Sequence, residues 1–281
     1  MSTAAPLAER DGLTWSVRAG SGDRVGPGPH EQDIWRLARS FGGTGAAFVD
    51  VGAHVGHFAL RLAAAFAKVI AIEPNPAALT TLRTNVRLNG IGNIDVQPVA
   101  AHDRTARLRL WDPYDVVAGP CTRTLDLDEP VTVPADCEVS LLHRGPDGYG
   151  AFLGDVDALP IDLIASRSEE TVRLIKIDVE GHEGRTLAGA SETIRRHQPA
   201  ILIEMHDSMY GERIKQEVVR QLSRHGYLWC DFSLYQRSKM TTSDMCPYIY
   251  AEPESIGRRQ EFLDYAEQVN VDAASRWLTV P

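Results

Sequence analysis

Residues 48–57 read Phe-Val-Asp-Val-Gly-Ala-His-Val-Gly-His, a short apolar run that enters a glycine-bearing turn. Phe48, Val49 and Val51 favour extended backbone, and Gly42, Gly43 and Gly45 ahead of them give the strand a clear start. Residues 58–66, rich in Ala and Leu, predict a helix. A strand, a tight turn and a helix bring free backbone N–H groups and the positive helix end to one point, where an anionic or polar ligand group docks. Gly52 and Gly56 allow close approach and unusual dihedrals there. Asp50 adds a carboxylate at the end of the strand, expected to face the mouth. A dinucleotide fold would carry G-x-G-x-x-G to admit a pyrophosphate. Here the turn is Gly-Ala-His-Val-Gly, and an acid ahead of it suits a ligand with an ammonium group.

The next units repeat the pattern. Residues 68–76, Lys-Val-Ile-Ala-Ile-Glu-Pro-Asn-Pro, form a second strand that is apolar almost throughout, as a central parallel strand is. It ends on Glu73, 17 residues past Gly56. An acid at that tip accepts both hydroxyls of a ribose in doubly wound folds. An ammonium at the first loop and a ribose at the second describe S-adenosylmethionine, with its methionine end at Asp50. Pro76 opens a helix over 77–89. Residues 94–100 form a third strand, and Ala101, His102 and Asp103 follow at the same edge, where the adenine sits in this fold; Asp103 reads equally as a turn residue.

Composition bounds the rest. The chain has 281 residues, 43% hydrophobic and 24% charged, which suits one principal domain with room for an appended subdomain. A formal charge of -9 and a pI near 5.5 leave no basic footprint for nucleic acid or an anionic membrane, and favour a neutral or cationic small substrate. The apolar runs at 63–67 and 200–203 are far too short to span a bilayer, and residues 1–11 lack an apolar signal core, so a cytoplasmic protein is expected. Cys121, Cys137, Cys230 and Cys246 show no zinc-type spacing, and no disulfide is expected. Lysine occurs only at 68, 176, 215 and 239, a bias towards Arg like that of a GC-rich bacterium. There is no internal repeat.

Glycine and proline crowd residues 1–30 around a short strand at 14–17, and a helix is expected over 31–41. Residues 104–170 break the α/β rhythm with β-like pieces at 106–111 and 138–142; so long a segment at the ligand edge reads as a lid or substrate wall. A fourth strand at 172–179 runs into a turn dense with ionisable groups, followed by a helix over 186–197 and a fifth strand at 199–206. One edge thus collects Asp178, Glu180, His182, Glu204 and His206. A helix over 211–225, β-like segments at 227–234 and 248–251 and a helical tail over 257–277 complete the chain. The expected division is an N-terminal lid and helix (1–45), a core (46–252) and a C-terminal tail (253–281).

FVDVGAHVGHFAL, VIAIEPNPAALTTLRTNVRLNG, VRLIKIDVEGHEGRTLAGA and ILIEMHD, covering roughly residues 46–103 and 172–207, resemble the FkbM-type methyltransferases. IKIDVEGHE followed by a P-x-I-L-x-E strand is the most distinctive part. The resemblance implies a Rossmann-like doubly wound sheet of the class I methyltransferase type and S-adenosylmethionine as cofactor. It makes Asp50, Gly52, Ala53, His54 and Gly56 the methionine and backbone contacts. It further makes Glu73 with Pro74 the ribose site, Ala101 the adenine neighbour and Asp178 the residue bordering the methyl. His54 stands where Asn is frequent. The segments outside these stretches match only in outline and are those expected to select the substrate.

The activity so implied is O-methylation of a small hydroxylated molecule, a sugar or a bacterial secondary metabolite, with homo-oligomerisation left open. Displacement at a sulfonium carbon needs an aligned nucleophile and a base for its proton. Histidine has the right unperturbed pKa range, which makes His182 and His206 the candidates, and Asp178 and Glu204 could orient either. The alternative is a divalent ion, magnesium, held by Asp178, Glu204 and His206, against which stands magnesium's preference for oxygen. A nicotinamide-dependent oxidoreductase and a non-catalytic nucleoside-binding module are the rival readings; the missing G-x-G-x-x-G opposes the first, and the intact strand-edge motifs the second.

Overall fold

Strand alternation sorts the apolar residues of 48–51 onto two faces, and the sheet built on them is covered on both. The computed structural model describes residues 7–16, 31–112, 123–126, 151–205, 212–235 and 245–277. Its strands are β1 (Leu7–Arg10), β2 (Leu13–Ser16), β3 (Gly43–Val51), β4 (Phe66–Ile72), β5 (Ile94–Gln97), β6 (Ala100–Ala101), β7 (Ala106–Asp112), β8 (Arg123–Asp126), β9 (Ala151–Leu159), β10 (Thr171–Ile177), β11 (Ala200–Glu204), β12 (Leu228–Tyr235) and β13 (Met245–Glu252). The helices are α1 (Glu31–Arg39), α2 (His57–Leu62), α3 (Pro76–Leu88), α4 (Ile161–Ala165), α5 (Glu183–Ala188), α6 (Ser191–His197), α7 (Glu212–Arg224) and α8 (Arg259–Trp277).

The main sheet has seven strands in the order β12-β13-β11-β10-β3-β4-β5. From β11 to β5 the pairings are parallel, and β13 enters antiparallel between β11 and β12. This is the doubly wound, Rossmann-like order, with an antiparallel strand inserted near one edge. Its direction of winding reverses at β3, which has β4 on one side and β10 on the other. Ligands of such sheets lie outside the carboxyl ends of the strands at that switch point. Phe48, Leu174, Leu202 and Tyr250 fill one face, together with Trp15, Ile34, Trp35 and Phe262 from the two ends of the chain. Val49, Val51, Ile175, Ile177, Ile201 and Ile203 fill the other. Each such side chain contributes roughly 1.5–3 kcal/mol when fully buried.

Several elements differ from the sequence reading. The helix expected over 58–66 is a six-residue α2, then a 3-10 turn at Ala63–Ala65, and Phe66 already begins β4. The third strand is split: β5 ends at Gln97 before Pro98, and β6 leaves the main sheet to pair with β9. The helix expected over 186–197 is two helices, α5 and α6, separated at Gly189 and Ala190. A Cβ at Gly189 would run into the carbonyl of His102, so the break brings the helix end against the segment after β6. The expected N-terminal strand has a partner, β1. β6 joins β9, β7 and β8 of the inserted segment in a second sheet around Ala100, Leu108 and Ala158. The β-like piece expected at 138–142 lies outside the described residues. Among the described residues no helix is long and apolar enough to cross a membrane.

Candidate active site

At the carboxyl edge of β3, Gly52 takes φ 77° and its amide donates to Ile72 O at 3.0 Å. A Cβ on Gly52 would collide with the carbonyl oxygen of Asp178, so the turn after β3 lies directly against the tip of β10. Gly56, φ 99°, packs where a Cβ would strike Leu60 and Leu82. Ala53 is buried between these two glycines, its amide donating to Ile72 O at 3.1 Å. His54 adopts a left-handed φ of 50°, uncommon for a residue with a side chain. Its amide donates to Glu73 Oε2 at 2.8 Å.

Glu73 is buried at the tip of β4, and its other oxygen accepts from Asn75 N at 2.7 Å. Asn75 in turn caps α3, its Oδ1 accepting from Ala77 and Ala78. Burial pushes the Glu73 carboxyl up to about 7, although both amides favour the anion. Each carboxylate oxygen has a second lone pair, so two further donors can be accepted. Half-buried Pro74 follows Glu73 and starts the approach to α3.

Asp50 corrects an expectation. Instead of facing an open mouth it is wholly buried, because alternation along β3 puts it on the Phe48 face, opposite Lys176 of β10. Among the described residues neither oxygen has a hydrogen-bond partner of normal geometry; the Ala59 amide favours the anion and the Lys176 ammonium is 4.0 Å away. Burial raises the carboxyl to about 6, Lys176 opposes the rise and Asp178 adds to it. Lys176 Nζ donates to Asp178 Oδ2 at 2.9 Å and lies 5.0 Å from the centroid of the Phe58 ring. Burial works against the charged lysine, yet Asp178, Asp50 and Glu204 together hold its pKa above the ordinary value. Glu204, two positions beyond Leu202 on the same face of β11, accepts from the Tyr248 hydroxyl at 3.0 Å.

The structure therefore brings Asp50, Asp178 and Glu204 together around a residue that the sequence reading passed over. The signal was available: a strand buried on both faces carries a lysine only where acids receive it. His182 is placed differently. It precedes α5, and its ring sits 5.0 Å from that of buried His102, whose Nδ1 is 2.7 Å from Asp103. Asp103 also binds Arg185 at 3.0 Å, and the Ala101 carbonyl accepts from Thr186 Oγ1 at 3.3 Å. The segment after β6 is thus fastened to α5. His206 lies outside the described residues. Among the described residues no three His, Cys, Asp or Glu side chains are grouped to hold a metal.

A glycine turn pressed on the β10 tip at the switch point, with a buried acid at the next strand tip, defines a Rossmann-like enzyme of the nucleoside-cofactor class. A family model described as the methyltransferase FkbM domain matches residues 50–228, and the chain belongs to that family. It is a methyltransferase, and the family supports S-adenosylmethionine as the cofactor. The 31-O-demethyl-FK506 methyltransferase FkbM of Streptomyces tacrolimicus is 30% identical over 190 residues, 63% of this chain and 71% of that protein. Among solved structures, the methyltransferase FkbM from Methylobacillus flagellatus is 21% identical with a TM-score of 0.47, covering 73% of this chain and 43% of that one. The M. jannaschii TYW2 structure in complex with AdoMet is 12% identical with a TM-score of 0.46, covering 90% and 86%.

Proposed function

We propose that the chain transfers the methyl group of S-adenosylmethionine to a hydroxyl of a small molecule, a sugar or a bacterial secondary metabolite. The observation that carries this reading is the clamp at the switch point, where Glu73 holds the His54 amide while Gly52 abuts Asp178. It leaves one lone pair on each Glu73 oxygen for a pair of hydroxyl donors. The relative named for a 31-O-demethyl substrate supports oxygen as the acceptor. The charge of -9 favours a small substrate over nucleic acid.

When bound, S-adenosylmethionine supplies an electrophilic methyl carbon on a sulfonium. Glu73 would accept the ribose hydroxyls, the Gly52–Gly56 turn would hold the methionine end, and the Ala101 segment would border the adenine. Asp178, whose side chain keeps 26% of its exposure, is open enough to meet ligand, unlike buried Asp50. As the new C–O bond forms and the S–C bond breaks, the hydroxyl proton passes to a base. His182 is the described candidate, with His102 and Asp103 behind it. His206 is the other.

Calorimetry with S-adenosylmethionine, its demethylated product and NADH tests the cofactor, and mass spectrometry against a panel of hydroxylated metabolites tests the acceptor. Binding of NADH alone would overturn the first, and turnover confined to RNA or a protein side chain the second. In the same assay His182→Ala is expected to lower the rate roughly 10²- to 10⁴-fold if His182 is the base. Full activity in that variant would transfer the role to His206.

A further inference from the structure

Lys176 stands at the middle of the sheet, its neighbours in register being Asp50 on β3 and Leu202 on β11. Its side chain is buried, with the ammonium 2.9 Å from Asp178 and 4.0 Å from Asp50. Glu204 is near enough for its charge to act on Lys176, and the Phe58 ring faces the ammonium from α2. A divalent ion bound by Asp178 and Glu204 would have to sit against this ammonium or dislodge it. Repulsion between like charges in a buried setting opposes the first. The second would strand a buried lysine without its acids. The described acids at the strand tips, Asp178 and Glu204 with Lys176 among them, therefore do not fit magnesium.

We propose that Lys176 is the resident cation of the strand-tip site: its ammonium, rather than a divalent metal, stands among the acids and fixes the Asp178 carboxylate at the edge where the methyl group passes. Lys176 is a positioning residue, acting through Asp178. The same ammonium, 4.0 Å away, balances Asp50. The kinetic part of the inference rests on the methyltransferase reading, whereas the metal-binding part does not.

The test uses the full chain, with manganese followed by electron paramagnetic resonance. The wild-type protein is expected to leave the free-ion signal unchanged, and Lys176→Ala to bind manganese through the acids it uncovers. Asp178→Asn in the Lys176→Ala background should abolish that binding. Lys176→Met, which keeps the volume, covers the case in which the alanine variant fails to fold. It should lower kcat on the order of 10²-fold while affinity for the demethylated cofactor changes little, and Lys176→Arg should recover part of the rate. Wild-type turnover should be unchanged in excess EDTA. Manganese binding by the wild-type chain that disappears in Asp178→Asn, or EDTA-sensitive turnover restored by magnesium, would overturn the proposal. If the chain binds no S-adenosylmethionine, the methyltransferase reading fails while the manganese titrations still decide the role of Lys176.

Discussion

Glu73 combines two tasks that pull its proton in opposite directions. Burial raises its carboxyl to about 7, while the amides of His54 and Asn75, and any hydroxyl donors from a ribose, favour the anion. A ligand that needs the anion must displace the proton below that value. Affinity for the demethylated cofactor should therefore fall as pH drops below about 7, by at most about tenfold per pH unit, and level off above it. Calorimetry across this range checks the point. Glu73→Gln should bind more weakly and flatten the profile, and a flat wild-type profile would exclude an ionised Glu73 as the ribose acceptor. Gly52 is constrained by shape instead. Gly52 and Gly90 both have positive φ, but only at Gly52 would a Cβ strike backbone, the carbonyl of Asp178. Each Gly→Ala change carries roughly 1–2 kcal/mol for the left-handed conformation. Gly52→Ala should lower the unfolding temperature well beyond Gly90→Ala, and equal losses would mean that the turn and the β10 tip are not in contact.

The N-terminal hairpin is fastened to the elements that carry the Gly52–Gly56 turn. Asp11 pairs with Arg61 of α2 at 2.8 Å, and the guanidinium lies 4.5 Å from the Trp15 ring and 4.1 Å from the Trp35 ring. Buried Asn85 of α3 accepts from Ser16 N at 2.7 Å and donates to Val55 O at 2.9 Å, so one amide joins β2 to the turn itself. Asn85→Ala would leave both backbone groups buried without their partner, at about 1–3 kcal/mol each. It should lower stability and weaken cofactor binding together, as denaturant unfolding and calorimetry would show; loss of stability alone would uncouple the hairpin from the turn. None of this clasp was legible in the sequence, because residues 14–17 read only as a short strand and nothing local marks Asn85 as a bridge. The parallel strands were legible, since strands buried on both faces are continuous apolar runs. So were the tip residues Asp50, Glu73 and Asp178, because a carboxylate interrupting such a run is conspicuous. What failed was decided by tertiary contact. β6 looks like the end of β5 until β9 claims it, and helical periodicity runs through Gly189 without revealing the carbonyl of His102 packed against it. Lys176 interrupts the same apolar run two residues before Asp178, but its pairing with Asp50 across the sheet is set by strand register, which the sequence does not display.

Across the molecule, two buried acids set against a net charge of -9 give stability an uncommon pH dependence in the near-neutral range. Asp50 and Glu73 have folded pKa values raised to about 6 and about 7 from 3.8 and 4.5. Over those intervals the folded state holds more protons than the unfolded chain, so stability falls as pH rises. Each group contributes a loss of up to about 3 kcal/mol, complete above its folded pKa. The other shifted groups separate in pH. Lys176, raised by its acids, keeps its contribution through neutral pH and loses it only in strong alkali. The lowered pKa values of Glu170, Glu192 and Glu261 add stability that is already present above their ordinary value of 4.5. His197, lowered by burial and Arg196, gives a gain with rising pH that is complete above 6.5 and offsets part of the loss. The cofactor-free chain should therefore unfold at lower urea concentration at about pH 8 than at about pH 5.5. In Asp50→Asn combined with Glu73→Gln the difference should shrink or reverse, because only His197 then titrates among the shifted groups of that interval. If wild type and double variant show the same slope, the two carboxyls are not the buried, proton-holding pair at the Gly52–Gly56 turn.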